Sequence, residues 1–121
     1  MRALIVDDSK AMRMIIGKAL LEIGLEVTEA GDGQQALDRL NDGLQVDLML
    51  VDWNMPVTNG FELVTAVRAN ILLSDIRIMM VTTETSMGSM QQALDAGANE
   101  YLMKPFTREV LQEKLALLGL N

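Results

Sequence analysis

Three stretches of this chain, residues 3–6, 48–51 and 78–81, are apolar without interruption. Apolar runs this short predict strands buried on both faces. Residues 26–30 alternate and residues 100–103 are half polar, which predicts two further strands with one exposed side. Between these stretches the apolar positions fall at helical spacing. Met12, Ile15, Ile16, Ala19, Leu20 and Ile23 predict a first helix, with Ser9 as its cap and Gly24 as its stop. Ala36, Leu37 and Leu40 predict a short second helix after the turn Gly31-Asp32-Gly33, ending near Asp42-Gly43. Phe61, Val64, Val67 and Ile71 predict a third, and residues 86–97 a fourth that Gly88 weakens. Thr107 caps a fifth, which carries Val110, Leu111, Leu115 and Leu118 and ends before Gly119.

Five strands alternating with five helices predict an α/β fold: a parallel sheet with helices on both faces. The wholly apolar first, third and fourth strands belong at the centre, and the half-polar second and fifth at the edges. Short right-handed crossovers then give the order 2-1-3-4-5. The chain reverses direction between the first and third strands. Ligands of open α/β sheets bind at that switch point, outside the carboxyl ends of the strands.

Parallel strands bring all their carboxyl ends to one rim. The residues found there are Asp7 and Asp8 after the first strand, Asp52 after the third, Thr82 after the fourth and Lys104 after the fifth. A carboxylate that ends an apolar strand is not there to pack. Three carboxylates gathered at the switch point repel one another unless a cation joins them. Oxygen ligands alone favour Mg²⁺ over zinc or copper. A lysine and a hydroxyl opposite such an ion suit the remaining oxygens of a transferring phosphoryl group, a reaction that depends on positioning and charge neutralisation.

Composition narrows the choice further. At 121 residues, half of them hydrophobic, the chain suits one domain over 1–121 with a real core. No apolar stretch approaches the roughly 20 residues that span a bilayer. The first residues do not read as a signal peptide. Cysteine is absent, which removes disulfides and thiolate chemistry and fits a cytoplasmic setting. Histidine is absent too, which removes the commonest general base. A net charge of −7 argues against nucleic acid as a partner and leaves proteins and cations.

Taken singly, each rim residue has a plainer role. Asp7-Asp8 can cap a helix, Asp52 can serve a turn, Thr82 suits a strand, and Lys104 before Pro105 suits a solvated loop. Tyr101 in an edge strand suits packing, and Met87 and Met90 suit a partial core. Coincidence at all the rim positions together is much harder to sustain.

Five segments carry a resemblance along the whole chain: Ile5-Val6-Asp7-Asp8-Ser9, Val51-Asp52-Trp53-Asn54-Met55-Pro56 with Gly60, Val81-Thr82-Thr83-Glu84, Ala96-Gly97-Ala98, and Tyr101-Leu102-Met103-Lys104-Pro105-Phe106. Together and in order they resemble the receiver domains of bacterial two-component response regulators. Trp53, Asn54 and Glu84 point to the single-domain chemotaxis members of that family. The resemblance implies a flavodoxin-like, doubly wound sheet, and the strand order read above is the family's own. It implies that Asp52 accepts a phosphoryl group from a sensor histidine kinase. Mg²⁺ would be bound by Asp8, Asp52 and the backbone carbonyl of Asn54, with Asp7 helping through water. Lys104 would pair with the phosphoryl group and Thr82 would hydrogen-bond it. Tyr101 would then turn inward and reshape the face formed by the fourth helix, fifth strand and fifth helix, where Met87 and Met90 are candidate contacts. Asn54 and Glu84 would tune the lifetime of the aspartyl phosphate, and the Lys104-Pro105 bond would be cis. The implied protein is a monomeric phosphoacceptor that assists its own phosphorylation and dephosphorylation and is not an enzyme. Its implied output is a protein such as a flagellar motor component.

Three function classes remain in view: a phosphorylated signalling switch, a phosphatase with an aspartyl nucleophile, and a passive interaction module. Phosphatases of the haloacid-dehalogenase type need two aspartates one residue apart after the first strand, and position 9 is Ser9. The intact set of Asp7, Asp8, Asp52, Thr82 and Lys104 argues against a passive module. Within the first class, an excised receiver of a longer regulator is the variant reading.

Overall fold

The computed structural model describes residues 1–53, 55, 59–83 and 87–120, with side chains in the last stretch from residue 90 onward. Strands β1 (Arg2–Val6), β2 (Glu26–Ala30), β3 (Leu48–Asp52), β4 (Arg77–Thr82) and β5 (Glu100–Met103) form one sheet in the order β2-β1-β3-β4-β5. All four pairings are parallel. The helices α1 (Lys10–Ile23), α2 (Gly33–Asn41), α3 (Gly60–Arg68), α4 (Met87–Ala96) and α5 (Arg108–Leu117) alternate with them. The strand order is the one expected from the apolar pattern, in the doubly wound, flavodoxin-like arrangement that the resemblance implies.

The period-two alternation of the central strands divides the core into two layers. Leu4, Val6, Met49, Val51, Ile78 and Met80 face α2, α3 and α4, where Ala36, Leu40, Leu63, Val64, Val67 and Ala93 cover them. Ala3, Ile5, Leu48, Leu50, Met79 and Val81 face α1 and α5 and meet Ile16, Leu20, Leu111 and Leu115. Burial on both sides explains why these strands carry no polar residue between their two ends.

Local chemistry sets where the helices begin. Ser9 accepts the Met12 N–H at 3.2 Å, and Thr107 accepts the Val110 N–H at 3.2 Å. Asn59 and Glu62 form a reciprocal capping box at α3, a start signal that the apolar spacing alone does not reveal. Gly24 closes α1 at a φ of 111°, a left-handed conformation that costs glycine nothing sterically.

Four apolar positions depart from the expected pattern, Phe61 on the exposed side of α3 among them. The third helix does not reach Ile71: α3 ends at Arg68, and Ile71 is 84% exposed in a separate 3-10 turn, Ile71–Leu73. The Asn70 side chain accepts the Leu72 N–H at 3.0 Å and so opens a new turn instead of continuing the old helix. Ile15 is 58% exposed, because the buried stripe of α1 runs through Ile16, Gly17 and Leu20. Val110 is exposed as well, and α5 packs through Leu111 and Leu115.

Candidate functional site

Sheet register builds the rim. Val6 lies opposite Val51, so Asp7 and Asp52 leave neighbouring strands side by side. Asp52 lies opposite Val81 and Thr82 opposite Met103, which brings Thr82 and Lys104 to the same edge. The ladder continues one step past the strands: the Asp7 N–H donates to the Ala30 carbonyl, and the Lys104 N–H to the Thr82 carbonyl. Backbone pairing therefore holds the site rigid to the point where the side chains take over.

Asp7, Asp8 and Asp52 each direct a carboxylate oxygen into a cluster in which these atoms all lie within 4.8 Å of one another. Asp7 is 1% exposed and Asp52 8%, whereas Asp8 is exposed. Lys104 Nζ stands 3.4 Å from Asp7 Oδ2 and 3.7 Å from Asp52 Oδ1. Three carboxylates thus face one ammonium among the described residues, an excess of negative charge that a divalent cation neutralises. Every ligand the cluster offers is an oxygen, and the chain has neither histidine nor cysteine, which suits Mg²⁺ and not zinc. The donor set fits such an ion.

The two adjacent aspartates serve differently. Asp7 Oδ1 accepts the Ser9 N–H at 2.9 Å, so its carboxylate also shapes the turn into α1. Its carbonyl accepts from Arg13 Nη1 at 2.7 Å, and Arg13 is held in turn by Glu29 at 2.9 Å. Arg13 is a supporting residue that the sequence reading did not single out. Its only local signal is a basic position one turn into α1, which is common on helix surfaces.

Gly60 lets α3 approach the strand end that carries Asp52. A Cβ at Gly60 would stand 2.8 Å from the Asp52 carbonyl oxygen and 2.9 Å from Trp53 Cα. The Gly60 N–H instead donates to the Trp53 carbonyl at 3.2 Å. Trp53 meets Phe61 edge to face, with centroids 6.3 Å apart. Beside them opens a cleft of about 520 Å³ lined by Trp53, Met55, Asn59, Phe61 and Gln92. Trp53, at its wall, follows Asp52 directly in the chain.

Tyr101 is half-buried on β5 at the sheet edge, and Met90 is half-buried on α4. Lys114, which the sequence reading also passed over, lies with its Nζ 4.5 Å from the centre of the Tyr101 ring. The Lys104-Pro105 bond is cis. Asn54, Glu84 and the side chain of Met87, all expected to take part, lie outside the described residues.

A buried aspartate at the switch point of a 2-1-3-4-5 sheet, flanked by two more aspartates and a lysine, defines a receiver-type site. The chain belongs to the response regulator receiver domain family, whose profile matches residues 3–116. It is 45% identical to chemotaxis protein CheY1 of Helicobacter pylori, across 100% of this chain and 99% of that one. The CheY homolog of Campylobacter jejuni is 47% identical over 95% of this chain and 89% of its own. Among solved structures, Vibrio cholerae CheY4 superposes with a TM-score of 0.89 at 39% identity, covering 96% of each chain.

Proposed function

We propose that this chain, as one receiver domain over residues 1–121, is a phosphorylation-activated signalling switch of the chemotaxis type, acting in the cytoplasm with Asp52 as its phosphoacceptor. The observation that carries this reading is the joint geometry of Asp7, Asp8, Asp52 and Lys104 at the sheet's switch point. A carboxylate oxygen of Asp52 attacks phosphorus in a phosphohistidine of a sensor kinase. The new P–O bond forms as the P–N bond breaks, and the imidazole nitrogen keeps the electron pair. Bound Mg²⁺ would join the three carboxylates and neutralise charge on the phosphoryl oxygens. Asp8 and Asp52 would hold the ion directly, and Asp7, already engaged with Ser9 and Lys104, would support it. Lys104 transfers its pairing from Asp52 to the phosphoryl group.

The acquired phosphate adds about −1.5 to −2 charge and new acceptor oxygens. These draw the Thr82 hydroxyl toward them and open space behind it. Tyr101 fills that space, and the face formed by α4, β5 and α5 changes shape. A protein partner reads that face, with Met90 and Tyr101 among its contacts. The kinship with chemotaxis proteins supports a flagellar motor component as that partner.

The test is mass spectrometry after incubation with acetyl phosphate and Mg²⁺. The native chain gains one phosphate, labile at alkaline pH, and Asp52→Asn gains none. Label retained by Asp52→Asn would overturn the assignment.

A further inference from the structure

We infer that Lys114, steadied by Glu100, is a positioning residue that restrains Tyr101 in its outer position and so sets how readily the switch turns. The inference rests on the reading of Tyr101 as the switch residue given above. Glu100 and Tyr101 are successive residues of β5, and their side chains leave opposite faces of the sheet. Lys114 of α5 nevertheless engages both. It can do so because β5 is an edge strand, around which a long side chain can reach. Its Nζ pairs with Glu100 Oε1 at 3.1 Å and sits 4.5 Å from the centre of the Tyr101 ring. The same Glu100 oxygen accepts the Tyr101 backbone N–H at 3.0 Å. The side chains of Lys114 and Glu100 are only 23% and 19% exposed, so water screens the contact less than at an open surface.

The direction of the effect follows from geometry. The ammonium is attracted to the ring face, and the attraction exists only while the ring stays within reach of α5. A ring turned in behind Thr82 would be buried and out of reach of Lys114, whereas Tyr101 here stays partly exposed at the margin of the core and within reach of the ammonium. The contact therefore weights the equilibrium toward the outer position. By linkage, whatever favours the outer position weakens the binding of a phosphoryl mimic at Asp52 by up to the same factor. A cation–π contact at a partly exposed site is worth about a two- to fivefold shift. Charge pairing with Glu100 holds the ammonium in place, which makes Glu100 the second member of the restraint.

The chain has one Trp and one Tyr, which gives two site-specific probes. Beryllofluoride is titrated with Mg²⁺ by Trp53 fluorescence, and fluorine NMR follows a fluorotyrosine at position 101. Lys114→Met should bind beryllofluoride about two- to fivefold more tightly. Its unliganded Tyr101 resonance should move toward the position of the beryllofluoride-saturated native chain. Glu100→Gln should move both readouts the same way, and Lys114→Arg should stay close to native. A merely structural role predicts equal or weaker binding in Lys114→Met, and that result overturns the restraint. Tightening by Lys114→Arg equal to that of Lys114→Met also overturns it, since the cation would then be irrelevant. A native Tyr101 resonance unmoved by saturating beryllofluoride sinks the switch reading itself, and the restraint with it.

Discussion

Asp7 and Asp8 are neighbours in the chain with different surroundings. Asp7 is buried, receives the Ser9 N–H and pairs with Lys104, whereas Asp8 is exposed and contributes its charge to the cluster. Replacing each therefore has a different consequence. Asp8→Ala removes one of three crowded negative charges and leaves in place Asp7, whose carboxylate shapes the turn, so its melting temperature in a chelator should rise by a few degrees. Asp7→Ala leaves the Ser9 N–H and the Lys104 ammonium without that acceptor and should melt lower. The same Asp8→Ala chain should lose most of the Mg²⁺-induced change in Trp53 fluorescence. The native chain should show that change with a midpoint of roughly 10⁻⁴–10⁻² M, typical of weak carboxylate sites. An identical Mg²⁺ titration in both chains would count against Asp8 as a ligand.

At the scale of elements, Arg68 ties together three segments distant in sequence. From the end of α3 its guanidinium donates to the carbonyls of Gly97 at 2.9 Å, Ile76 at 2.7 Å and Ser74 at 3.3 Å, and to Asn99 Oδ1 at 2.8 Å. Burial, reinforced by nearby Arg77, holds this guanidinium below its ordinary pKa. Helix α4 has no basic residue in its last turn, so Arg68 supplies the cation that its carboxyl end favours. Gly97 takes a φ of 117°, and a Cβ there would stand 2.5 Å from Arg68 Cγ. Arg68→Ala strands two partly buried carbonyls at once, those of Gly97 and Ile76. It should lower stability by at least about 2 kcal/mol, given about 1–3 kcal/mol for each acceptor left unpaired. Urea unfolding checks this: the midpoint should fall with little change in slope. A loss within error of zero would mean that water satisfies those carbonyls and that Arg68 holds nothing together.

At the scale of the whole molecule, the two ends of the proposed signal lie on different elements of one sheet. Asp52 ends β3, Thr82 ends β4, and Tyr101 stands on β5, each strand hydrogen-bonded to the next. Thr82 ends β4, the strand between those of Asp52 and Tyr101, and in the proposed switch it serves both the rim and the distant face. Thr82→Ala should therefore still accept phosphate on Asp52 while losing most of the distant response. In the native chain, beryllofluoride should shift backbone NMR signals across α4, β5 and α5. In Thr82→Ala the changes should shrink to the rim. A coupling of the usual size, about 1–3 kcal/mol, corresponds to a partner held roughly 5–150-fold more tightly in the phosphorylated state. Native shifts confined to α2 and α3 would place the output on another face.

Uninterrupted apolar runs and helical spacing determined the elements, and their alternation determined a parallel sheet. A parallel sheet in turn required that the polar residues ending each strand meet on one rim. Asp7, Asp8, Asp52, Thr82 and Lys104 were legible for that reason: backbone pairing carries a local pattern to a shared edge without help from side-chain detail. Other features depend on contacts between elements, and a local pattern holds no information about those. The end of α3 at Arg68 was decided by Asn70 opening a new turn and by a guanidinium reaching the carboxyl end of α4. Burial of Asp7 and exposure of Asp8 were decided by where the chain turns into α1. The placing of Lys114 over Tyr101 was decided by an open sheet edge. Periodicity specifies which face a residue occupies. Only the packed chain decides which partner its side chain meets, because register, helix orientation and rotamer all enter and none of them is local.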